Sequence, residues 1–388
     1  MKRVAVIGAG YTKFGEQWDM SLRSLSTSAG AIALDDARME GHDIQALFVG
    51  NMSGGRFIGQ EHLAALAVDQ AGLTPIPATR CEGACASGAL AFRKAYMSIL
   101  SGEHDIVMAA GAEKMTDIKG TDAIAALMGA GDQEWESAYG LTFTGLYALI
   151  AKAHMERYGT TREQMAMVSV NNHKNGALNP NAQFPFEITV EQVLNSNVIA
   201  DPLTLLDCSP ITDGAAAVIL ASEEAAKKFV NPIWILGSGQ ASDTLALHDR
   251  KSLTEMNATK VASKKAYEQS GLGPDRIDIA EVHDCFSINE IIAVEDLGFV
   301  KKGDGGKFVE RGAIARDGEK PINTAGGLKA IGHPVGATGI RQIADLVKQL
   351  RGQYGPLQIK DANTGLALNI GGSGATAVVH ILGNNKVI

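Results

Sequence analysis

The sequence repeats itself at long range, and that repetition limits the fold more than any other feature. An apolar run enters a Gly-rich turn at Val4-Ala5-Val6-Ile7-Gly8-Ala9-Gly10 and again at Ile233-Trp234-Ile235-Leu236-Gly237-Ser238-Gly239. A helical pattern over residues 22–39 precedes a buried strand at 44–50, and one over 259–270 precedes a strand at 278–283. Residues 85–88 open a helix that runs to Leu100, and residues 332–339 open one that runs to Leu350. Alternating apolar runs at 213–220 and 372–382 close the two series. Two similar α/β halves are therefore expected, residues 1–230 and 231–388. Between about 113 and 197 the rhythm breaks into Asn- and Gly-rich pieces such as 171–176 and 179–185, which predicts a loop domain inserted in the first half. A site between the halves would be built from equivalent helix starts.

At 388 residues the chain exceeds one ordinary core, and 45% hydrophobic residues with 44 glycines describe a folded α/β protein. A net charge of −8 argues against nucleic acid as a partner. Apolar runs fall short of a membrane span, and the opening run is too short for a secretory signal. Gly8-Ala9-Gly10 is not extended into a dinucleotide fingerprint, because the third glycine position holds Lys13. Cys81, Cys85, Cys208 and Cys285 form no disulfide framework and no closely spaced pair of zinc ligands. A reduced, cytoplasmic setting is expected.

Four segments carry chemistry. In Arg80-Cys81-Glu82-Gly83-Ala84-Cys85-Ala86-Ser87-Gly88 a cysteine stands among small residues at a helix start. Free backbone N–H groups and the helix dipole there are expected to favour thiolate; an inert buried thiol is the alternative. His283-Asp284-Cys285-Phe286 follows an apolar strand directly, where α/β sheets place ligand groups. Gly332-His333-Pro334 puts a histidine in a rigid turn before a helix. Asn369-Ile370-Gly371-Gly372-Ser373-Gly374 offers backbone N–H groups to an oxyanion.

These segments, with Asp207-Cys208-Ser209-Pro210-Ile211-Thr212-Asp213-Gly214, stand in the order found in thiolases, and the chain resembles that family along essentially its whole length. His283-Asp284-Cys285-Phe286 resembles the sterol-carrier-protein-type and archaeal branch, where other thiolases carry Asn-Glu-Ala-Phe. Single-domain length and Gly111-Ala112-Glu113-Lys114-Met115-Thr116-Asp117 are most similar to archaeal acetoacetyl-CoA thiolases of the mevalonate route. The resemblance implies a five-layered αβαβα thiolase fold. It also implies reversible Claisen condensation of two acetyl-CoA to acetoacetyl-CoA and CoA through an acetyl-cysteine, with no cofactor and no metal.

By the same resemblance Cys85 is the nucleophile and His333 its base. The N–H groups of Cys85 and Gly371 hold the first oxyanion, and His283 and His333, as neutral donors, hold the second substrate's carbonyl. Cys285 moves the methyl proton, and Ser209 contacts the pantetheine of CoA. Two departures are visible: Asn369 occupies the position of the usual second cysteine, and no histidine appears at 139–147. Cys81 and Cys208 are read as structural and His173 as a surface residue. Expected partners are further copies of the chain, as a dimer or dimer of dimers. A 3-hydroxy-3-methylglutaryl-CoA synthase with a zinc- and OB-fold bridging protein is expected as well. The rival functions are a degradative thiolase for longer or branched 3-oxoacyl-CoA and a non-catalytic acyl-CoA-binding subunit.

Overall fold

A computed structural model describes residues 2–387. The first half runs β1 (Val4–Tyr11), α1 (Leu22–Ala37), β2 (Leu47–Gly50), α2 (Leu63–Gln70), β3 (Ala78–Cys81), α3 (Ser87–Ser101) and β4 (Ile106–Glu113). After β4 come two long helices, α4 (Phe143–Tyr158) and α5 (Arg162–Gly176), a small hairpin of β5 (Val198–Ala200) and β6 (Leu203–Thr204), then β7 (Gly214–Ser222). The second half runs β8 (Ile233–Ser242), α6 (Asn257–Ser270), β9 (Ile279–Glu281), α7 (Ser287–Asp296), α8 (Thr338–Leu350), β10 (Thr364–Gly371) and β11 (Thr376–Gly383).

The strands form one mixed ladder in the order β3-β2-β4-β7-β1-β8-β11-β10-β9. It is two copies of one pattern. β7 lies antiparallel to β1 and β4, with β2 parallel to β4; β11 lies antiparallel to β8 and β10, with β9 parallel to β10. The counterpart of β3 is reduced to Ile322, bridged in parallel to Ala280. In the ladder the two copies are joined by Ala5 with Trp234 and Val6 with Ile233.

Successive side chains on a strand face opposite ways, and both faces are covered. Val4, Val6, Val218 and Leu220 enter a central core with Phe92 and Ile99 of α3 and Ile340 and Ile343 of α8. Ala5, Ile7, Ala217 and Ile219 enter an outer core under α1 and α2. In the second half, Leu366, Leu368 and Ile370 meet α6 and α7. Outer helices, sheet, α3 with α8, sheet and outer helices give the five layers.

Two expectations need correction. Gly8, Gly10, Gly237 and Gly239 lie within β1 and β8 rather than in turns. A Cβ on Gly8 would strike the Ala33 carbonyl, and one on Gly237 or Gly239 would strike those of Ala266 and Ala262. The glycines thus let α1 and α6 lie close on their strands. The polar stretch 171–176 is the end of buried helix α5, not a loop. Asn172 donates to Asp284 (2.9 Å) and Glu290 (2.8 Å), and Asn175 to the Asn323 carbonyl (3.1 Å). Buried partners in the other half explain a polarity that the sequence made look like solvent exposure.

Candidate active site

The chemical segments occupy equivalent places, just beyond strand ends or at helix starts facing the gap between the halves. Cys85 lies in the tight turn linking β3 to α3. The turn is strained: Ala84 has φ 52°, a left-handed conformation uncommon for a residue with a Cβ. Ser87 braces it, accepting from Gly83 N–H (3.0 Å) and donating to the Ala84 carbonyl (2.6 Å). His283 follows β9, which ends two residues earlier, and His333 precedes α8. α3 and α8 approach closely where Gly339 meets Ala89.

The Cys85 sulfur and one ring nitrogen from each of His283 and His333 lie within 4.8 Å of one another. The two rings are edge to face, with centroids 5.1 Å apart. Both Nε2 atoms are buried without a partner, whereas both Nδ1 atoms are engaged. The engagements differ. Thr338 Oγ1 lies 2.7 Å from His333 Nδ1 and gives its one proton to the Pro334 carbonyl (3.1 Å). It therefore accepts from Nδ1–H, which leaves His333 Nε2 as a bare lone pair. The Asn369 amide nitrogen stands 3.1 Å from His283 Nδ1 and donates to it, so His283 Nε2 carries the proton. One imidazole is thus set as a base and the other as a donor, with both tautomers assigned from the hydrogen-bond pattern.

Burial keeps both rings neutral. It lowers His333 to about 3, with the Arg341 charge adding, and holds His283 well below the usual range, with His333 and Arg341 adding. Arg341 is itself buried and paired with Glu281 (2.9 Å) and Asp345 (2.7 Å). Cys85 does not behave as its helix-start position led us to expect. Burial pushes its thiol up to about 12; the N–H groups of Gly372 and Cys85 pull down, and Glu113 pushes up. Desolvation outweighs the dipole, so this sulfur needs a base. The backbone donor opposite Cys85's own is that of Gly372, next to Gly371, which packs its Cα against the Gly83 carbonyl.

Cys285 is buried beside this group but outside the tight cluster. Burial raises its thiol far above the usual range, Cys85 adds to the rise, and the neighbouring Tyr147 hydroxyl opposes it. Tyr147, from α4, is buried, donates to the Gly372 carbonyl (3.2 Å) and stacks on Phe286 at 4.6 Å. Asp284 accepts from Leu328 N–H (2.7 Å) and Asn172, which makes it a brace for the segment. Ser209 donates its N–H to the Cys285 carbonyl (2.9 Å), so its loop is docked on the same segment. His173 is buried rather than on the surface, donating Nδ1–H to the Phe186 carbonyl (3.1 Å).

Sequence reasoning missed Thr338, Tyr147 and Glu113, and saw Asn369 only as an absent cysteine. Glu113, buried at the end of β4, accepts from Asn51 (2.9 Å), Met52 (2.8 Å), Ser53 (3.1 Å) and Gly336 (3.1 Å). An acidic residue closing an apolar strand is the signal that marks it. A cleft of about 290 Å³ reaches the residues just before Cys85, lined by Met52, Arg56, Gly83, Ala84, Gly371 and Thr376.

The thiolase N-terminal domain model matches residues 4–224, and the thiolase C-terminal domain-like model matches 239–384. The chain belongs to the thiolase family. It is 57% identical to the acetyl-CoA acetyltransferase of Methanothermobacter thermautotrophicus, over 98% of this chain and 99% of that one. It is 50% identical to the acetyl-CoA acetyltransferase of Methanocaldococcus jannaschii, over the whole of both chains. The solved structure of an Ltp2–ChsH2(DUF35) aldolase superposes with a TM-score of 0.85 at 27% identity, over 99% of this chain and 98% of that one. The thiolase fold expected from the sequence is the fold of this chain.

Proposed function

We propose that this thiolase is an acetyl-CoA C-acetyltransferase condensing two acetyl-CoA to acetoacetyl-CoA and CoA, reversibly. The observation that carries the reading is the meeting of the Cys85 sulfur with one ring nitrogen from each of two neutral histidines, set as opposite tautomers. Full-length relatives called acetyl-CoA acetyltransferase narrow it to the acetyl group.

His333 Nε2 takes the Cys85 proton as sulfur attacks the thioester carbonyl, so the thiolate exists only as it is used. Backbone N–H groups of the Cys85 turn and the 371–372 turn receive the oxyanion, each worth about 3 kcal/mol by analogy with other acyl transfers. The C–S bond to CoA breaks, Cys285 protonates the leaving sulfur, and an acetyl-Cys85 remains. Cys285, now a thiolate, removes a methyl proton from the second acetyl-CoA. Its carbonyl oxygen rests on His283 Nε2–H and on His333, which donates only because it still carries the proton taken from Cys85. With Nδ1–H given to Thr338 the neutral ring has no Nε2–H, so the expected pair of neutral donors becomes one neutral and one charged. The enolate attacks the acetyl group, and Cys85 departs with the proton of His333. Cys85 regains its own proton from His333, and Cys285 keeps the methyl proton in place of the one that left with CoA, so the enzyme ends in its starting protonation state. Ser209, on the loop against Cys285, is assigned to the pantetheine of CoA.

Further copies of the chain, as a dimer or dimer of dimers, are proposed from the family resemblance, as are a cytoplasmic location and a place in the mevalonate route. No described helix is long and apolar enough to cross a membrane. A 3-hydroxy-3-methylglutaryl-CoA synthase and a zinc- and OB-fold bridging protein are proposed as partners on the same ground; the DUF35 component named in the similar aldolase structure supports a partner for a chain of this fold. The purified protein should form acetoacetyl-CoA from acetyl-CoA and cleave it with CoA, faster than it cleaves longer 3-oxoacyl-CoA esters. Preference for long or branched esters would make it a degradative thiolase, and absence of both reactions would leave the acyl-CoA-binding subunit.

A further inference from the structure

The groups poised for acyl transfer also make a donor set for a metal ion. A thiol sulfur and two imidazole nitrogens lie within 4.8 Å of one another. Both Nε2 atoms are buried and unpaired, and their rings belong to residues that are 0% and 6% exposed. Such buried atoms lack a partner on the protein and are free to take one. We propose that this protein has an inhibitory site for a thiophilic divalent cation of the zinc type, held by Cys85 Sγ, His283 Nε2 and His333 Nε2.

Cysteine spacing argued against a zinc site because it tests only for ligands near each other in sequence. Here the three ligands come from three segments that the duplicated fold folds together. One thiolate and two imidazoles are borderline-soft donors, which select zinc or cobalt over magnesium or calcium. Three protein ligands leave a fourth tetrahedral position open. Tetrahedral bonds of about 2.0 to 2.3 Å place ligand atoms about 3.5 Å apart, so binding draws the three inward by on the order of 1 Å. Small rotations of side chains supply that movement.

Proton accounting fits the same scheme. The metal displaces the Cys85 proton to solvent, because a coordinated thiol is ionised whatever its free pKa. His333 already presents a bare Nε2 and donates Nδ1–H to Thr338, the outer hydrogen bond typical of metal-bound imidazole. His283 has the opposite tautomer and must move its proton to Nδ1. Asn369 accommodates this by turning its amide, which brings Oδ1 to the ring in place of the nitrogen. The only described contact given up is a long one, from Ala89 N–H to Oδ1 at 3.4 Å. Since the ion holds the lone pairs that the reaction needs, occupancy and acyl transfer exclude each other. The resting enzyme is the form that binds metal.

The test is anaerobic titration of the full-length protein with cobalt(II), read by absorption without any thioester present, so that it stands apart from the proposed acyl chemistry. One cobalt per chain should give a near-ultraviolet thiolate-to-metal band that zinc abolishes by displacement and that Cys85→Ser lacks. On wild-type protein, saturating zinc should slow alkylation of Cys85 by iodoacetamide by an order of magnitude or more, mapped by peptide mass, and leave Cys81 and Cys208 unchanged; a chelator should restore the rate. This second arm needs no variant to fold. No band, a band that persists in Cys85→Ser, or alkylation of Cys85 indifferent to zinc would overturn the site.

Discussion

The base assignment of His333 rests on one hydroxyl, which makes Thr338→Val the sharpest perturbation available. Valine keeps the shape of threonine but removes the oxygen 2.7 Å from Nδ1. A buried N–H left without an acceptor costs about 1–3 kcal/mol. A neutral imidazole escapes that cost by moving its proton to Nε2, and the lone pair facing Cys85 is then gone. At about 1.4 kcal/mol per factor of ten, the acetylation step should slow by about 10- to 100-fold, the range common for outer partners of functional histidines. Thr338→Ser retains both the oxygen and its proton and should stay close to wild type. The assay is single-turnover transfer from acetyl-CoA, followed by intact mass, with thermal melting to confirm the fold. Wild-type acetylation by Thr338→Val, or equal loss in Thr338→Ser, would refute the reasoning.

Three further outcomes follow from the same geometry. His333 is lowered to about 3 and the Cys85 thiol raised to about 12, so the base is already neutral and the thiol protonated across roughly pH 5 to 8; the acetylation rate should show no histidine or thiol limb there, any limb near 7 belonging to the buried Glu113 carboxyl and vanishing in Glu113→Gln, and a limb near 6.5 that Glu113→Gln leaves in place would contradict it. Tyr147→Phe removes the hydroxyl that opposes the rise of the Cys285 thiol and should slow condensation by about 10-fold while leaving acetylation of Cys85 intact; equal loss in both half-reactions would make Tyr147 merely structural. Gly339→Ala drives a Cβ into Asn369 Oδ1 and Ala89 N, so urea unfolding should show destabilisation of about 2–3 kcal/mol, and an unchanged midpoint would show that α3 and α8 have room to part.

The halves were legible because duplication writes the same period-2 and helical patterns twice, and because every chemical segment lies at a strand end or a helix start. Cys85, His283 and His333 were readable for that reason. Polarity misled where its partner lay far away in sequence: Asn172 and His173 look solvent-exposed until Asp284 and Phe186 are placed beside them. Tyr147 comes from the insertion, whose packing no local pattern encodes. The thiol's acidity was misjudged because a helix start is a local feature, whereas desolvation is the sum of everything that surrounds the sulfur. Asn369, where the resemblance to thiolases would place a cysteine, stands 3.1 Å from His283 Nδ1, a pairing that no local pattern announces.

The most direct measurement is the mass of the protein after brief exposure to acetyl-CoA, followed by peptide mapping. Gain of a single acetyl group on Cys85, lost in Cys85→Ser and discharged by CoA, is the predicted result. An unmodified chain, or an acetyl group on Cys285 instead, would contradict the account.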